Sequence, residues 1–329
     1  MWRPPGGTVP CMLSSDTPDG QGKPVTTSDT LVVLTNPRAG KGRGARATGE
    51  VLELLRTSGL TIQPVTPNGA EEAEQACAEA VASGARGVVV LGGDGTIHVA
   101  LQALAGSGVP LGIVPVGTGN DLVGSLGLPT EPQAAAAAIV TAVRAGHTRV
   151  IDLARVTTEA GVSRWYATTL AAGFDSAVAD RVNRMRWPRG PLRYHVAVLV
   201  ELARLRVREF QITVDGTTHT VPGIFAAVGN TGWYGSGAPV CPQADPADGL
   251  LDVTVAGPVG RLTLIRLKPL LYRGEHLGHP LVRTFRGATI RLEADGVIGY
   301  ADGERIAPLP LELTAVPGAL RLLASPQAG

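Results

Sequence analysis

One pattern constrains the fold more than any other: an apolar strand-like run, a glycine-rich turn and a helix-like stretch, met three times before residue 125. The turns are Asn36-Pro37-Arg38-Ala39-Gly40-Lys41-Gly42, Gly92-Gly93-Asp94-Gly95-Thr96 and Gly117-Thr118-Gly119-Asn120-Asp121. The runs before them, residues 31–34, 87–91 and 111–115, are short and continuously apolar, as strands buried on both faces must be. A further strand at 61–65 leads to Thr66, and the Ala- and Glu-rich stretch 70–82 reads as a helix. Helices are also expected to about Ser58, over 96–104 and from Asn120. Alternation of this kind predicts a parallel sheet covered by helices on both sides.

From about residue 151 the texture changes to short segments at 211–214, 224–228, 251–255 and 288–292, which read as antiparallel strands of a second, β-rich domain. An amphipathic helical stretch, 193–205, interrupts them. The apolar segment 309–323 is strand-like and suits either domain. The 329 residues are enough for two cores, and 43 Gly with 25 Pro suit a globular chain with many tight turns.

A net charge of +1 gives no overall attraction to nucleic acid, so an electrostatic partner must be found by local patches. One such patch spans 181–208, with eight Arg, only Glu201 acidic, and Met185 and Trp187 interleaved. It can dock on anionic lipid head groups or be a solvated helix face. Cys11, Cys77 and Cys241 have neither zinc-site nor disulfide-framework spacing, which fits a reducing cytoplasm. Residues 1–30 lack an apolar run and read as a flexible extension. No stretch reaches the roughly 18–20 apolar residues of a membrane span.

Glycines at the carboxyl edge of a parallel sheet let main-chain N–H groups approach phosphate oxygens, and three such turns together suggest a polyphosphate. Neither the G-x-x-x-x-G-K-[ST] loop nor the dinucleotide fingerprint is present, so a different nucleotide fold is required. Asp94 between glycines would repel phosphate unless a divalent cation lay between them, which makes it a candidate metal or catalytic contact. Alternatively it caps the helix that begins at Thr96.

The motifs Asn-Pro-x-x-Gly-x-Gly, Gly-Gly-Asp-Gly-Thr and Pro-x-Gly-Thr-x-Asn-Asp, in this order, resemble the diacylglycerol kinase catalytic-domain family, which includes bacterial lipid kinases and sphingosine and ceramide kinases. The resemblance continues through Asp245-Pro246-Ala247-Asp248-Gly249-Leu250-Leu251-Asp252 and Asp302-Gly303-Glu304. It covers about residues 31–323. It implies an α/β fold: an N-terminal parallel-sheet nucleotide-binding domain at 31–150, like that of phosphofructokinase and NAD kinase, and a C-terminal β-rich sandwich domain for the lipid at 151–308. Residues 309–329 form a C-terminal segment that either returns to the first domain or stays with the second.

The implied function is that of an ATP-dependent lipid kinase, cytoplasmic and peripheral to the membrane, moving the γ-phosphoryl group of ATP to a lipid hydroxyl with Mg2+. By resemblance the nucleotide site comprises Asn36, Pro37, Arg38, Ala39, Gly40, Thr66, Gly92, Gly93, Asp94, Gly95, Thr96, Ile97, His98 and Thr118. At His98 similar proteins commonly have Asn. Glu304 is implied as the general base, with Asp94 beside it in catalysis. The acidic loop is implied to hold a structural Mg2+ through the Asp248 carboxylate and the Asp245 and Leu250 carbonyls.

Read locally, Asp302-Gly303 is simply a hairpin turn. Likewise the acidic loop alone reads equally as a surface turn, and Trp233-Tyr234-Gly235 as a structural turn. A rival of the same chemistry is another Gly-Gly-Asp-Gly kinase acting on a soluble acceptor. A rival of a different class is a silent nucleotide- or lipid-binding regulator, which would need no proton acceptor. The identity of the lipid and the oligomeric state, a homodimer included, are not written in the motifs.

Overall fold

The computed structural model describes residues 28–36, 43–117, 119–185, 187 and 191–324. In chain order the first half contains β1 (Ser28–Thr35), α1 (Arg43–Thr57), β2 (Thr61–Val65), α2 (Ala70–Ala82), β3 (Ala85–Gly92), α3 (Asp94–Leu104), β4 (Leu111–Pro115), α4 (Asp121–Ser125) and α5 (Pro132–Ala145). Strands β2, β1, β3 and β4 pair in parallel, in that order. Alternation along β1 sends Val32 and Leu34 to a core shared with α2 and α3, and Leu31 and Val33 to a core shared with α1 and α5. Both faces of the sheet are therefore dry, as the continuous apolar runs require.

Three expectations are corrected here. The first strand begins at Ser28, because Thr30 already pairs with Thr61, so residues 28–30 belong to the sheet and not to an extension. The remaining extension, 1–27, lies outside the described residues. Helix α3 begins at Asp94, two residues before Thr96, since Gly93 is the extended N-cap and its carbonyl accepts from Thr96 and Ile97 N–H. Asp94 is thus not the cap. Helix α4 is a single turn, preceded by Asn120 in the left-handed region.

The second half contains β5 (Arg149–Thr158), β6 (Ser163–Tyr166), β7 (Thr169–Gly173), α6 (Phe174–Arg184), α7 (Pro191–Ala203), β8 (Arg208–Val214), β9 (Thr217–Gly223), β10 (Phe225–Gly229), β11 (Trp233–Tyr234), β12 (Ala238–Pro239), β13 (Leu251–Ala256), α8 (Arg261–Tyr272), β14 (Val282–Gly287), β15 (Thr289–Glu293), β16 (Ile298–Ala301), β17 (Glu304–Pro308) and β18 (Leu311–Leu322). Strands β14, β13, β10, β7, β16 and β17 form one antiparallel sheet. It packs on β5, β18, β15 and β8 through a core containing Val156, Leu170, Ala226, Val253, Ile290 and Leu313. This is the β-rich sandwich.

Strand β18 serves both halves. Its first part pairs antiparallel with β15 and β5, and its last residue, Leu322, pairs in parallel with Leu111. Its antiparallel pairing with β5 shifts register at a bulge between Val316 and Leu320, where Gly318 sits at φ +64° and its N–H bonds to the Asp152 carboxylate at 2.8 Å. One chain segment thereby fastens the sandwich to the parallel sheet, which fixes the cleft between them.

Candidate active site

The turns after β3 and β4 meet at the carboxyl edge of the parallel sheet. Val116 N–H bonds to Gly92 carbonyl at 3.0 Å, and a Cβ on Gly117 would lie 2.6 Å from Gly93 Cα. That approach is main chain against main chain, so no rotamer change can relieve a side chain there. We expect Gly117→Ala to part the two turns at a cost of about 1–3 kcal/mol, raising the Kd for ATP roughly tenfold in a calorimetric titration.

Asp94, the first residue of α3, points at the third turn. A Cβ on Gly119 would lie 2.5 Å from Asp94 Oδ2, and the N–H groups of Asn120 and Asp121 bond to the carboxylate. Its other oxygen, Oδ1, is buried without a hydrogen-bond partner. Burial raises the Asp94 pKa, and the charges of Asp121 and Asp302 raise it further, against the pull of those two N–H groups. A carboxylate in this state is short of positive charge, and one divalent cation would satisfy both the orphaned oxygen and the excess of negative charge. The residues present fit a magnesium ion at Asp94.

Across the cleft, Asp302 and Gly303 are the two left-handed residues of the β16–β17 hairpin, at φ +51° and +84°. The local reading of a hairpin turn is therefore correct. The Asp302 carboxylate accepts hydrogen bonds from Ala167 N–H (3.1 Å), Thr168 N–H (2.8 Å) and Thr168 Oγ1 (2.6 Å). Its Oδ2 also lies 3.1 Å from His98 Nδ1 on α3, and both side chains are buried, 4% and 10% exposed. Burial pushes the Asp302 pKa up, but the His98 bond and charge and the Thr168 donors prevail and hold it below the usual carboxylate range. For His98 burial pushes down, while the bond to Asp302 and its charge prevail and raise it. The pair ties the first helix turns of α3 to the β16–β17 hairpin.

Glu304, two residues on, is solvent-exposed, and its Oε1 lies 3.3 Å from the position of a Cβ on Gly95. The carboxylate thus reaches over the N-terminal turn of α3, beside Asp94. Gly95 leaves that space open.

The other expected nucleotide residues divide into groups. Asn36 Nδ2 bonds to Thr96 Oγ1 at 3.4 Å, and Thr66 Oγ1 to Thr35 Oγ1 at 2.8 Å, so these polar groups line the ends of β1 and β2 beside the Gly92–Gly93 turn. The Ile97 side chain is in the core with α2, which leaves only its main chain for a ligand. The His98 ring is engaged by Asp302. Pro37, Arg38, Ala39, Gly40 and Thr118 lie outside the described residues.

In the acidic loop, Asp245 Oδ1 accepts from Ala247 N–H at 3.1 Å and Asp248 Oδ1 from Leu250 N–H at 2.9 Å. Asp248 Oδ2 is paired with Arg286 of β14, which also lies 3.4 Å from the Asp252 carboxylate. Each Asp248 oxygen therefore already has one partner, and burial and the Asp248 charge still raise the Asp252 pKa against the pull of Gln243 and Arg286. Asp245, Asp248 and Leu250 thus stand together on one loop beside Arg286, and among the described residues no cluster of three or more His, Cys, Asp or Glu side chains forms a metal cage. The loop is also secured by Asp152, whose Oδ2 accepts from Gly249 N–H at 2.7 Å.

Asp152, Thr168, Arg286 and the Ser236–Gly237 amides were not singled out by the motifs. Each acts through a partner tens of residues away, a relation that no local spacing encodes.

Residues 30–156 match the diacylglycerol kinase catalytic domain, and residues 168–324 match the YegS C-terminal NAD kinase beta sandwich-like domain. A diacylglycerol kinase of Mycobacterium tuberculosis is 44% identical over 294 residues, 89% of this chain and 94% of that protein. A Stenotrophomonas maltophilia protein named "Probable lipid kinase YegS-like" is 28% identical over 305 residues, 88% of this chain and 96% of its own. Among solved structures, a diacylglycerol kinase from Bacillus anthracis str. Sterne superimposes with a TM-score of 0.70 at 19% identity, covering 92% of this chain and 98% of that one, which supports the fold. With both domains matched in order and a relative of this identity aligned over nearly its whole length, the chain belongs to the diacylglycerol kinase catalytic-domain family.

Proposed function

We propose that this chain, a lipid kinase with ATP as its phosphoryl donor, phosphorylates the free hydroxyl of diacylglycerol or a lipid of closely related head group at a membrane surface. The observation that carries the assignment of roles is the convergence of Asp94 and Glu304, from two domains, over the N-terminal turn of α3. The helix N-terminus and the Gly92–Gly93 and Gly117–Gly119 turns present N–H groups to the triphosphate. Asn36, Thr66 and Thr96 border the same edge, and Pro37, Arg38, Ala39, Gly40 and Thr118 are assigned to the nucleotide by resemblance alone. Magnesium, when bound with the nucleotide at Asp94, neutralises phosphate charge. Glu304 accepts the proton of the lipid hydroxyl as its oxygen forms the bond to the γ-phosphorus and the bond to the ADP oxygen breaks. Asp302 and His98 hold the hairpin that carries Glu304.

The test is transfer of label from γ-labelled ATP, with magnesium, to diacylglycerol, phosphatidylglycerol, ceramide and a sphingoid base in mixed micelles. Label on diacylglycerol in preference to the others supports the proposal. Label confined to another lipid moves the acceptor, and label on none while ATP still binds sinks the kinase reading.

A membrane-facing surface is proposed on α7 and the segment before it. Trp187 is 81% exposed, and Leu192 and Leu199 are 57% and 64% exposed on the helix. Such side chains outside a core are expected where a lipid interface covers them. No helix among the described residues is long and apolar enough to cross a bilayer. Of the basic residues nearby, Arg181 pairs with Glu201 and Arg184 with Asp180, so part of the local charge is already balanced. With each basic group near an anionic surface contributing about 1 kcal/mol, replacing Arg184, Arg186 and Arg189 together should weaken binding to phosphatidylserine-containing vesicles roughly a hundredfold. ATP affinity should be unchanged. Vesicle sedimentation reads the effect, and unaltered binding would rule this surface out.

A further inference from the structure

Asp121 ends the third glycine turn and opens α4, and neither oxygen of its carboxylate is directed by the motif to a stated partner. In the structure both are taken by the second domain. Oδ1 accepts from Gly237 N–H at 2.7 Å and Oδ2 from Ser236 N–H at 3.0 Å, the tip of the β11–β12 hairpin.

That tip is held in an unusual backbone state. Gly235, Ser236 and Gly237 are consecutive and all left-handed, at φ +60°, +71° and +94°. Ser236 lacks glycine's freedom there, and such residues persist only where their surroundings over-determine them. Successive N–H groups in turns of this type form a concavity that accepts an anion, and Asp121 is that anion. The hairpin is also held at its base, by Thr169 Oγ1 on the Trp233 carbonyl at 3.4 Å and by Tyr234 packed against a buried cluster that includes Val240 and Cys241, but these lie away from the tip. Its strands pair only Trp233 with Pro239 and Tyr234 with Ala238, too short a ladder to stand alone.

The docking is continued by two further contacts to α4. The Trp233 ring lies on Gly124, where any Cβ would overlap it, and Thr231 Oγ1 bonds to Ser125 Oγ at 3.2 Å. The docked tip lies beside the chemistry: a Cβ on Gly119 would be 2.5 Å from Asp94 Oδ2 and 3.8 Å from Ser236 Oγ.

We infer that Asp121 is a positioning residue for the phosphoryl acceptor, pinning the 235–237 tip beside Asp94 so that the β11–β12 hairpin forms a fixed wall for the hydroxyl-bearing end of the lipid. The inference rests on the lipid-kinase reading and adds to it the element that places the acceptor. With Asp121→Ala the tip loses its anion and the hairpin undocks. Asp121→Asn keeps one acceptor oxygen and should fall between the two. Ser236→Gly in the Asp121→Ala background removes the cost of the left-handed serine and should restore part of the docking.

The experiment pairs hydrogen exchange of the 231–240 segment with kinetics on diacylglycerol micelles, using the full chain. In Asp121→Ala, exchange at Ser236 and Gly237 should accelerate about tenfold or more while α3 is unaffected, the signature of a local opening. Lipid kcat/KM should fall on the order of a hundredfold through misplacement of the acceptor, with ATP affinity within about twofold of wild type. Unchanged hairpin exchange, or a loss confined to ATP affinity, overturns the inference. A wild type that labels no lipid counts against the kinase reading itself, whereas labelled lipid with a hairpin that stays protected in Asp121→Ala overturns this inference alone.

Discussion

Replacing Glu304 by Gln is expected to lower kcat for lipid phosphorylation by about a hundredfold to ten-thousandfold, the range that a general base supplies. Gln has the same shape and removes only the proton-accepting oxygen, so the space over Gly95 stays filled and the hairpin keeps its turn. The side chain is exposed, and its substitution should leave the unfolding free energy from urea denaturation within about 0.5 kcal/mol of wild type. ATP affinity should also be retained, because the nucleotide seat belongs to the first domain. Stopped assays with γ-labelled ATP and diacylglycerol, beside calorimetric ATP binding, separate these quantities. A variant that keeps more than a tenth of wild-type turnover would remove Glu304 from the role of base and direct attention to Asp94.

The position of Asp94 bears on that alternative. Its carboxylate has a raised pKa, an oxygen with no partner and two neighbouring acidic groups. Those features describe a group awaiting a cation better than one awaiting a proton from the acceptor, since a base needs free passage to the hydroxyl. The division of labour proposed for Asp94 and Glu304 therefore rests on environment: one buried and charge-crowded, the other exposed on the facing hairpin.

How much of this was legible in the sequence depends on the range of the interaction. The glycine turns, their strands and the parallel sheet are written locally, because apolar runs, Gly and Pro act on their own neighbours. Asp94 was recognisable from its glycine neighbours alone. The role proposed for Glu304 rests on resemblance, since Asp-Gly before it is an ordinary hairpin signal and the structure keeps it as one. What could not be read is pairing at distance: His98 with Asp302, 204 residues on, or Asp121 with Gly237, 116 on. The departure from the commoner Asn at residue 98 was visible as a letter, but its partner, the Asp302 carboxylate 3.1 Å from Nδ1, required the fold. Arg286 is the counterpart in the acidic loop, where a motif expected to hold an ion is met by a cation from a neighbouring strand.

The His98–Asp302 pair gives the second large effect. Asp302→Ala leaves two main-chain N–H groups, the Thr168 hydroxyl and the His98 ring without their acceptor in a buried site. Breaking a buried pair by removing one partner costs about 3–5 kcal/mol, so the unfolding midpoint in urea should fall by more than 1 M at pH 6 for an m-value of about 2 kcal/mol/M.

The pair also sets a pH window with two distinct edges. His98 has a raised pKa in the folded protein, so its contribution is complete below its unfolded value near 6.5 and is lost as pH rises through the folded value. Asp302 has a lowered pKa, so its contribution is complete above about 3.9 and is lost as pH falls through the folded value. Wild type should accordingly lose part of its stability between neutral and alkaline pH, whereas Asp302→Asn, which cannot hold an imidazolium, should lose that dependence. Turnover should follow the same limb, because the hairpin that the pair fixes carries Glu304. Urea denaturation and kcat measured from pH 5.5 to 9 in both proteins read the two together. An alkaline limb that survives unaltered in Asp302→Asn would show that the pair does not govern the placement of the base.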